Sequence, residues 1–305
     1  MVSFNPKRDI PALDGKVILV TGGNIGLGKQ SVLEFSRHGP EQVWLAARNL
    51  DKAKAAADEI KQQVPDAPIK LLELDLSSFE SVKRAAQTFS AGSDRLDILM
   101  LNAGIMAAPP GLSKDGYEIQ FGTNHMGHAL LTKLLLPILE RTARSGPDAD
   151  VRIVSLSSRG HMLAPKGGIQ FDSLKTRADS LGAYGRYGQS KLSNILFARQ
   201  LAQLYPQFTV SAIHPGMVRT NLLSGATGSP LMQMVFNLSR ALRVASPVEK
   251  GALNQLWASV SKDVKSGEYY EPVGVGGSAT VHGKDDDLAQ KLWDWTEKEL
   301  AEHAA

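Results

Sequence analysis

The feature that most constrains this chain is an alternation of short, almost continuously apolar runs with longer amphipathic stretches. The runs are KVILVT (Lys16 to Thr21), QVWLAA (Gln42 to Ala47), IKLLELDL (Ile69 to Leu76), LDILMLNAG (Leu96 to Gly104), VRIVSLSS (Val151 to Ser158) and FTVSAIHPG (Phe208 to Gly216). A strand apolar on both sides must be covered on both faces, as parallel strands are. Between the runs lie helical patterns such as GKQSVLEFSRHG, DKAKAAADEIKQQV and SSFESVKRAAQTFS, the last with Ser78 and Ser81 as candidate caps. GHALLTKLLLPILERTAR and GRYGQSKLSNILFARQLAQLY are longer and more apolar. Strand and helix alternating in this way predict an α/β fold with a doubly wound parallel sheet flanked by helices.

After Gly216 the pattern changes. Thr220 to Ala245 is rich in Leu, Met, Ser and Gly; SPVEKGALNQLWASVS then reads as a helix with Pro247 in its first turn. A short last strand is expected near GEYYEPVG, and KDDDLAQKLWDWTEKELAEH as a closing helix whose acids favour its N-terminal end. No linker separates a second folded unit, so residues 1–305 are expected to form a single domain. The absence of cysteine excludes disulfide and thiolate chemistry. A net charge of +3 from scattered basic residues gives no nucleic-acid footprint. The polar N-terminus and the lack of a long apolar run predict no signal peptide and no membrane span; a cytoplasmic protein is expected.

The first strand runs into TGGNIGLGK, Thr21 to Lys29, with Gly22, Gly26 and Gly28 spaced TGxxxGxG. Glycines there allow a tight turn and close backbone approach, so that Asn24, Ile25 and the following helix N-terminus can meet a pyrophosphate. A glycine-rich turn with no ligand is the plainer alternative; the strand and helix on either side favour a dinucleotide and a Rossmann-type sheet.

The TGxxxGxG spacing resembles that of the short-chain dehydrogenase/reductase family, and other positions extend the resemblance. The end of the second strand, where an NAD site would place an acid, carries Arg48, which would pair with a 2′-phosphate; the expected cofactor is NADP(H), with Lys29 adding charge. The resemblance implies that Asp75 meets the adenine amino group beside Leu76. It also implies that Asn102, Ala103 and Gly104, an NNAG-like motif with Leu101 in place of the first Asn, run along the ribose. Pro215 and Gly216, with Val218 and Thr220, would hold the carboxamide.

Tyr184 and Tyr187 both sit near Lys191, and residues alone leave open an ordinary helix face. The family's YxxxK selects Tyr187 and Lys191, with Tyr187 as general acid or base and Lys191 lowering its pKa and binding ribose. The family's strand-end SSxxG implies that Ser158, in preference to Ser157, polarises the substrate carbonyl, and alternation aims only one of the pair at the site. Asn124 would hold a water in a proton relay, or cap its own helix. His125 and His128 share a helix face, but no further ligand completes a metal site, and none is expected.

ARN after the second strand and TNHMGHALLT resemble the retinol dehydrogenase-like and protochlorophyllide reductase-like branch. The implied activity is NADP(H)-dependent reduction of a ketone or aldehyde, or oxidation of an alcohol. The substrate would be apolar or aromatic, under a lid formed by residues 217–245. A non-catalytic dinucleotide-binding regulator and a same-fold epimerase or dehydratase are the alternatives. The apolar helices around Leu130 to Leu139 and Leu192 to Leu201 pair between subunits in a homodimer or are buried within one subunit.

Overall fold

The computed structural model describes residues 2–218 and 245–303. The expected lid therefore lies outside the described residues except for positions 217, 218 and 245, and Thr220 lies outside them too. Seven parallel strands form one sheet: β1 (Val17–Thr21), β2 (Gln42–Ala47), β3 (Ile69–Glu73), β4 (Ile98–Leu101), β5 (Val151–Leu156), β6 (Phe208–Ile213) and β7 (Glu268–Tyr270), in the order 3-2-1-4-5-6-7. This is the doubly wound Rossmann-type arrangement that the strand–helix alternation predicts. The third run stops pairing at Glu73, because its register partner in β2 is Ala47, the last residue of that strand.

Successive side chains of β1 divide between two cores. Val17 and Leu19 enter one, with Phe79 and Val82 of α3 (Phe79–Gly92), Leu130 of α4 (Gly127–Ala143) and Leu192 of α5 (Gly182–Leu204). Ile18 and Val20 enter the other, with Phe35 of α1 (Gly26–Ser36), Ile60 of α2 (Leu50–Lys61) and Trp257 of α6 (Leu253–Val260). Helices thus cover both faces, which is why the strands carry no polar stripe. Ser78 caps α3, while the Ser81 hydroxyl accepts from the Asp75 amide.

The closing helix, α7 (Asp286–Leu300), packs on α5. Trp293 stacks on Phe197, Lys133 pairs with Glu297, and Thr296 meets His125 Nε2 at 3.1 Å. Leu130, Leu131, Leu135 and Leu139 of α4 and Leu192, Leu196 and Leu201 of α5 are buried within the one chain. No helix among the described residues is long and apolar enough to cross a membrane.

Candidate active site

All strands point the same way, so the loops leaving β1 through β6 share one edge of the sheet. Between β1 and β4 the strand order reverses, which opens a crevice for a ligand. The glycine turn lies there. Gly22 and Gly26 adopt φ of 65° and 55°, a region closed to most side chains. Gly28 is required for space: a Cβ there would stand 2.3 Å from the Gly22 carbonyl oxygen and 2.6 Å from Asn102 Nδ2. Asn102 Nδ2 donates to the Thr21 carbonyl at 2.8 Å, joining the NAG turn to the glycine turn. Helix α1 opens after Ile25, an exposed residue that supplies no side-chain cap, so the first N–H groups stay available to an anion.

Arg48 follows β2 and is exposed. It lies close enough to Asp75 to help hold that carboxylate low: burial pushes Asp75 up, but hydrogen bonds from Ser77, with Lys114 and Arg48, outweigh it. Lys29, expected to add charge at the site, is ion-paired with Glu59. Leu76 is buried, and its carbonyl packs where Gly127 leaves room at the start of α4.

A buried polar chain links this edge to Asn124. The Thr21 hydroxyl accepts from the Asn102 and Ala103 amides, both at 2.9 Å, and meets His128 Nε2 at 2.9 Å. His128 Nδ1 meets the Asn124 carbonyl at 3.0 Å. That carbonyl can only accept, so the proton is on Nδ1 and Nε2 accepts from Thr21. Burial lowers the His128 pKa to about 4, which keeps this neutral form. The Asn124 side chain, in the π-turn Gly122–Met126, accepts from the Ile105 amide and donates to the Ile105 carbonyl and to Ser190 Oγ. It clamps the segment following the NAG turn. A Cβ on Gly104 would stand 3.1 Å from Asn124 Oδ1 and 3.3 Å from Lys191 Nζ, so the NAG glycine makes room for both.

At the end of β5 the two serines diverge. Ser157 turns inward and donates to the Lys191 carbonyl at 2.7 Å. Ser158 faces Tyr187, and its Oγ accepts from the Gly160 amide at 3.0 Å. Tyr187 and Lys191 are buried on α5. Lys191 Nζ donates to the Leu156 carbonyl at 2.9 Å and lies 5.9 Å from the Tyr187 ring centre. Burial pushes the Tyr187 phenol up to about 12, against a smaller downward pull from its hydrogen bond with Ser158. This differs from the expected lowering by Lys191: desolvation dominates here and brings the Lys191 ammonium itself down to about 8. The Tyr184 hydroxyl is enclosed without a hydrogen-bond partner. Beyond β6, Gly216 has φ 86°, and Val218 bridges to Ser246 against Gly251.

Several residues around this site escaped sequence reasoning. Gly160 passes the Tyr187 ring where a Cβ would be 2.7 Å from Cε1, and Gly188 admits the Leu163 backbone. Arg186, next to Tyr187, forms a fully buried ion pair with Glu118 at 2.9 Å and donates to the Ala108 carbonyl at 2.8 Å. It holds the segment after the NAG turn, where Ala107 has φ 51°. Only the glycines had a local signal, their place beside the Ser and Tyr motifs. His125 and His128 turn to different partners, Thr296 and Thr21.

The fold and this edge define an α/β dinucleotide-binding protein with a Ser, Tyr and Lys cluster beside its glycine turn. A family model described as short chain dehydrogenase matches residues 16–228. The chain is 41% identical to a short-chain dehydrogenase/reductase, drtF, of Aspergillus calidoustus, across 95% of each chain. It is 36% identical to retinol dehydrogenase 13 of Homo sapiens, across 94% of this chain and 84% of that one. A crystal structure of an uncharacterised Mycobacterium paratuberculosis protein superposes with a TM-score of 0.75 at 29% identity, covering 98% of each. The chain belongs to the short-chain dehydrogenase/reductase family of oxidoreductases, in its retinol dehydrogenase-like branch. Members of this family use a nicotinamide dinucleotide.

Proposed function

We propose that the protein is an NADP(H)-dependent oxidoreductase that reduces an apolar or aromatic ketone or aldehyde, or runs the same reaction backward on an alcohol. The observation that carries this is the gathering of Ser158, Tyr187 and Lys191 beside Gly104, across from a glycine turn whose helix N-terminus is free for a phosphate. The residues fit a dinucleotide: Gly22, Asn24, Ile25, Gly26 and Gly28 around the pyrophosphate, Asp75 and Leu76 at the adenine, Asn102, Ala103 and Gly104 with Lys191 at the ribose. Pro215, Gly216, Val218 and Thr220 would hold the carboxamide. When bound, the nicotinamide supplies or takes up the hydride.

The remaining work belongs to the chain. Ser158 Oγ already accepts from Gly160, which leaves its own proton to donate to a carbonyl oxygen. Tyr187, with its phenol held up near 12, stays neutral and protonated throughout the physiological range and so holds a proton to give to the developing alkoxide. Lys191 provides positive charge one helical turn away and binds ribose. Asn124 keeps the Gly104–Ile105 backbone against them. Arg48 supports a 2′-phosphate, which a guanidinium binds through paired hydrogen bonds. Exposed Met162, Leu163 and Met217 at the site's rim, with the Leu- and Met-rich residues 217–245 as a lid on a single domain, support an apolar substrate.

A panel of aromatic and long-chain carbonyl compounds, followed by loss of NADPH absorbance, tests this. Turnover of at least one compound with NADPH is expected, with NADP(H) bound more tightly than NAD(H). Equal or tighter binding of NAD(H) would contradict the reading of Arg48.

A further inference from the structure

Two residues beyond Ser158, the turn that leaves β5 carries Gly160 followed by His161. Geometry gives His161 a task there. The Ser158 carbonyl accepts from the His161 amide at 3.0 Å and meets His161 Nδ1 at 2.7 Å. On the other side of the ring, Nε2 lies 3.2 Å from the Thr280 amide. The carbonyl can only accept and the amide can only donate, so a single form of the ring satisfies both: neutral, with its proton on Nδ1.

His161 is buried, with its ring edge-on to Tyr269 at 5.1 Å between centres. The Tyr269 hydroxyl donates to Glu271 at 2.9 Å, and Glu271 also pairs with Arg159. The turn Arg159–Leu163, whose N-cap is Ser158, is therefore gripped twice by the segment that follows β7: Glu271 on Arg159 and Thr280 on His161.

We infer that His161 is a positioning residue, which fixes the Ser158 backbone so that its hydroxyl stays on Tyr187 and couples that placement to docking of residues 271–280. The inference rests on the reading of Ser158 and Tyr187 given above. His161 touches neither of their hydroxyls; it acts through the Ser158 carbonyl. A misplacement of about 1 Å at such a group costs up to roughly a hundredfold in rate.

Two measurements test it. Long-range proton–nitrogen NMR on the ¹⁵N-histidine-labelled full chain at neutral pH, with assignment by His161→Asn, should show His161 protonated on Nδ1. An Nε2–H ring overturns the inference without reference to activity. Kinetics with NADPH and 4-nitrobenzaldehyde form the second arm. His161→Phe should lower kcat about tenfold or more, with the NADPH dissociation constant within about twofold of wild type. His161→Asn, which retains a donor near the Nδ1 position, should recover most of that loss. In a Ser158→Ala background, His161→Phe should change kcat by less than about twofold, because the two act as one unit. Equal damage from His161→Phe in both backgrounds, or none in the parent, overturns the inference while leaving the Tyr187 reading intact. Full activity of Ser158→Ala alone would instead remove the reading on which it rests.

Discussion

Arg186→Met probes the packing that holds Tyr187 from behind. Arg186 and Glu118 are 1% and 0% exposed and 2.9 Å apart. At an effective dielectric of about 20 their attraction is roughly 6 kcal/mol, much of it offset by desolvation of both ions. Removing one partner forfeits the attraction and leaves the other charge buried, so the expected cost is about 3–5 kcal/mol. The substitution also strips a donor from the Ala108 carbonyl. The assay is equilibrium urea unfolding of Arg186→Met, Glu118→Gln and the double variant. The double variant should lose clearly less than the sum of the singles, because neither ion is stranded. A pH signature accompanies it. Burial already raises the Glu118 pKa, against the Phe121 and Gln120 amides and Arg186, which lower it. Without Arg186 it rises further, the folded state then binds a proton more readily than the unfolded one, and the deficit shrinks as pH falls. A single-variant cost below about 1 kcal/mol, or strict additivity, would refute the stranded-charge account.

Other expectations follow from the same geometry. Gly28→Ala would drive a Cβ into the Gly22 carbonyl, so dinucleotide affinity measured by fluorescence titration should fall about tenfold or more. Burial lowers His125 and His128 from 6.5 to about 3 and about 4, so the unfolded chain takes up protons that the folded chain does not. Stability is then full above about pH 6.5 and lost as pH falls toward 4, by about 3 kcal/mol for His128 alone; chemical unfolding across that range should show the slope, and His128→Asn should flatten it.

Much of the sheet was legible because burial on both faces writes itself into sequence as unbroken apolar runs, and β1 through β6 fall within those read. Even β7, only three residues long, was marked by GEYYEPVG. Strand ends were less legible: nothing local in Ile69 to Leu76 says that β2 runs out of partners at Ala47. The glycine turn and the Tyr187–Lys191 spacing are local and readable through the family's motifs, which also pointed to Ser158 over Ser157. The polar scaffold behind them was not readable. Arg186 meets Glu118 across 68 positions, Thr21 meets His128 across 107, and Thr280 meets His161 across 119. Such pairs have no period and no motif; only folding brings them together. The same holds for the phenol of Tyr187, whose proton affinity depends on how deeply α5 is buried.

The most direct test of the account compares Tyr187→Phe with Tyr184→Phe on the best carbonyl substrate from the panel, with NADPH binding measured alongside. The account predicts that Tyr187→Phe loses at least about a hundredfold in kcat with dinucleotide affinity unchanged, while Tyr184→Phe stays within about threefold of wild type. A Tyr187→Phe variant that turns over at the wild-type rate would contradict it.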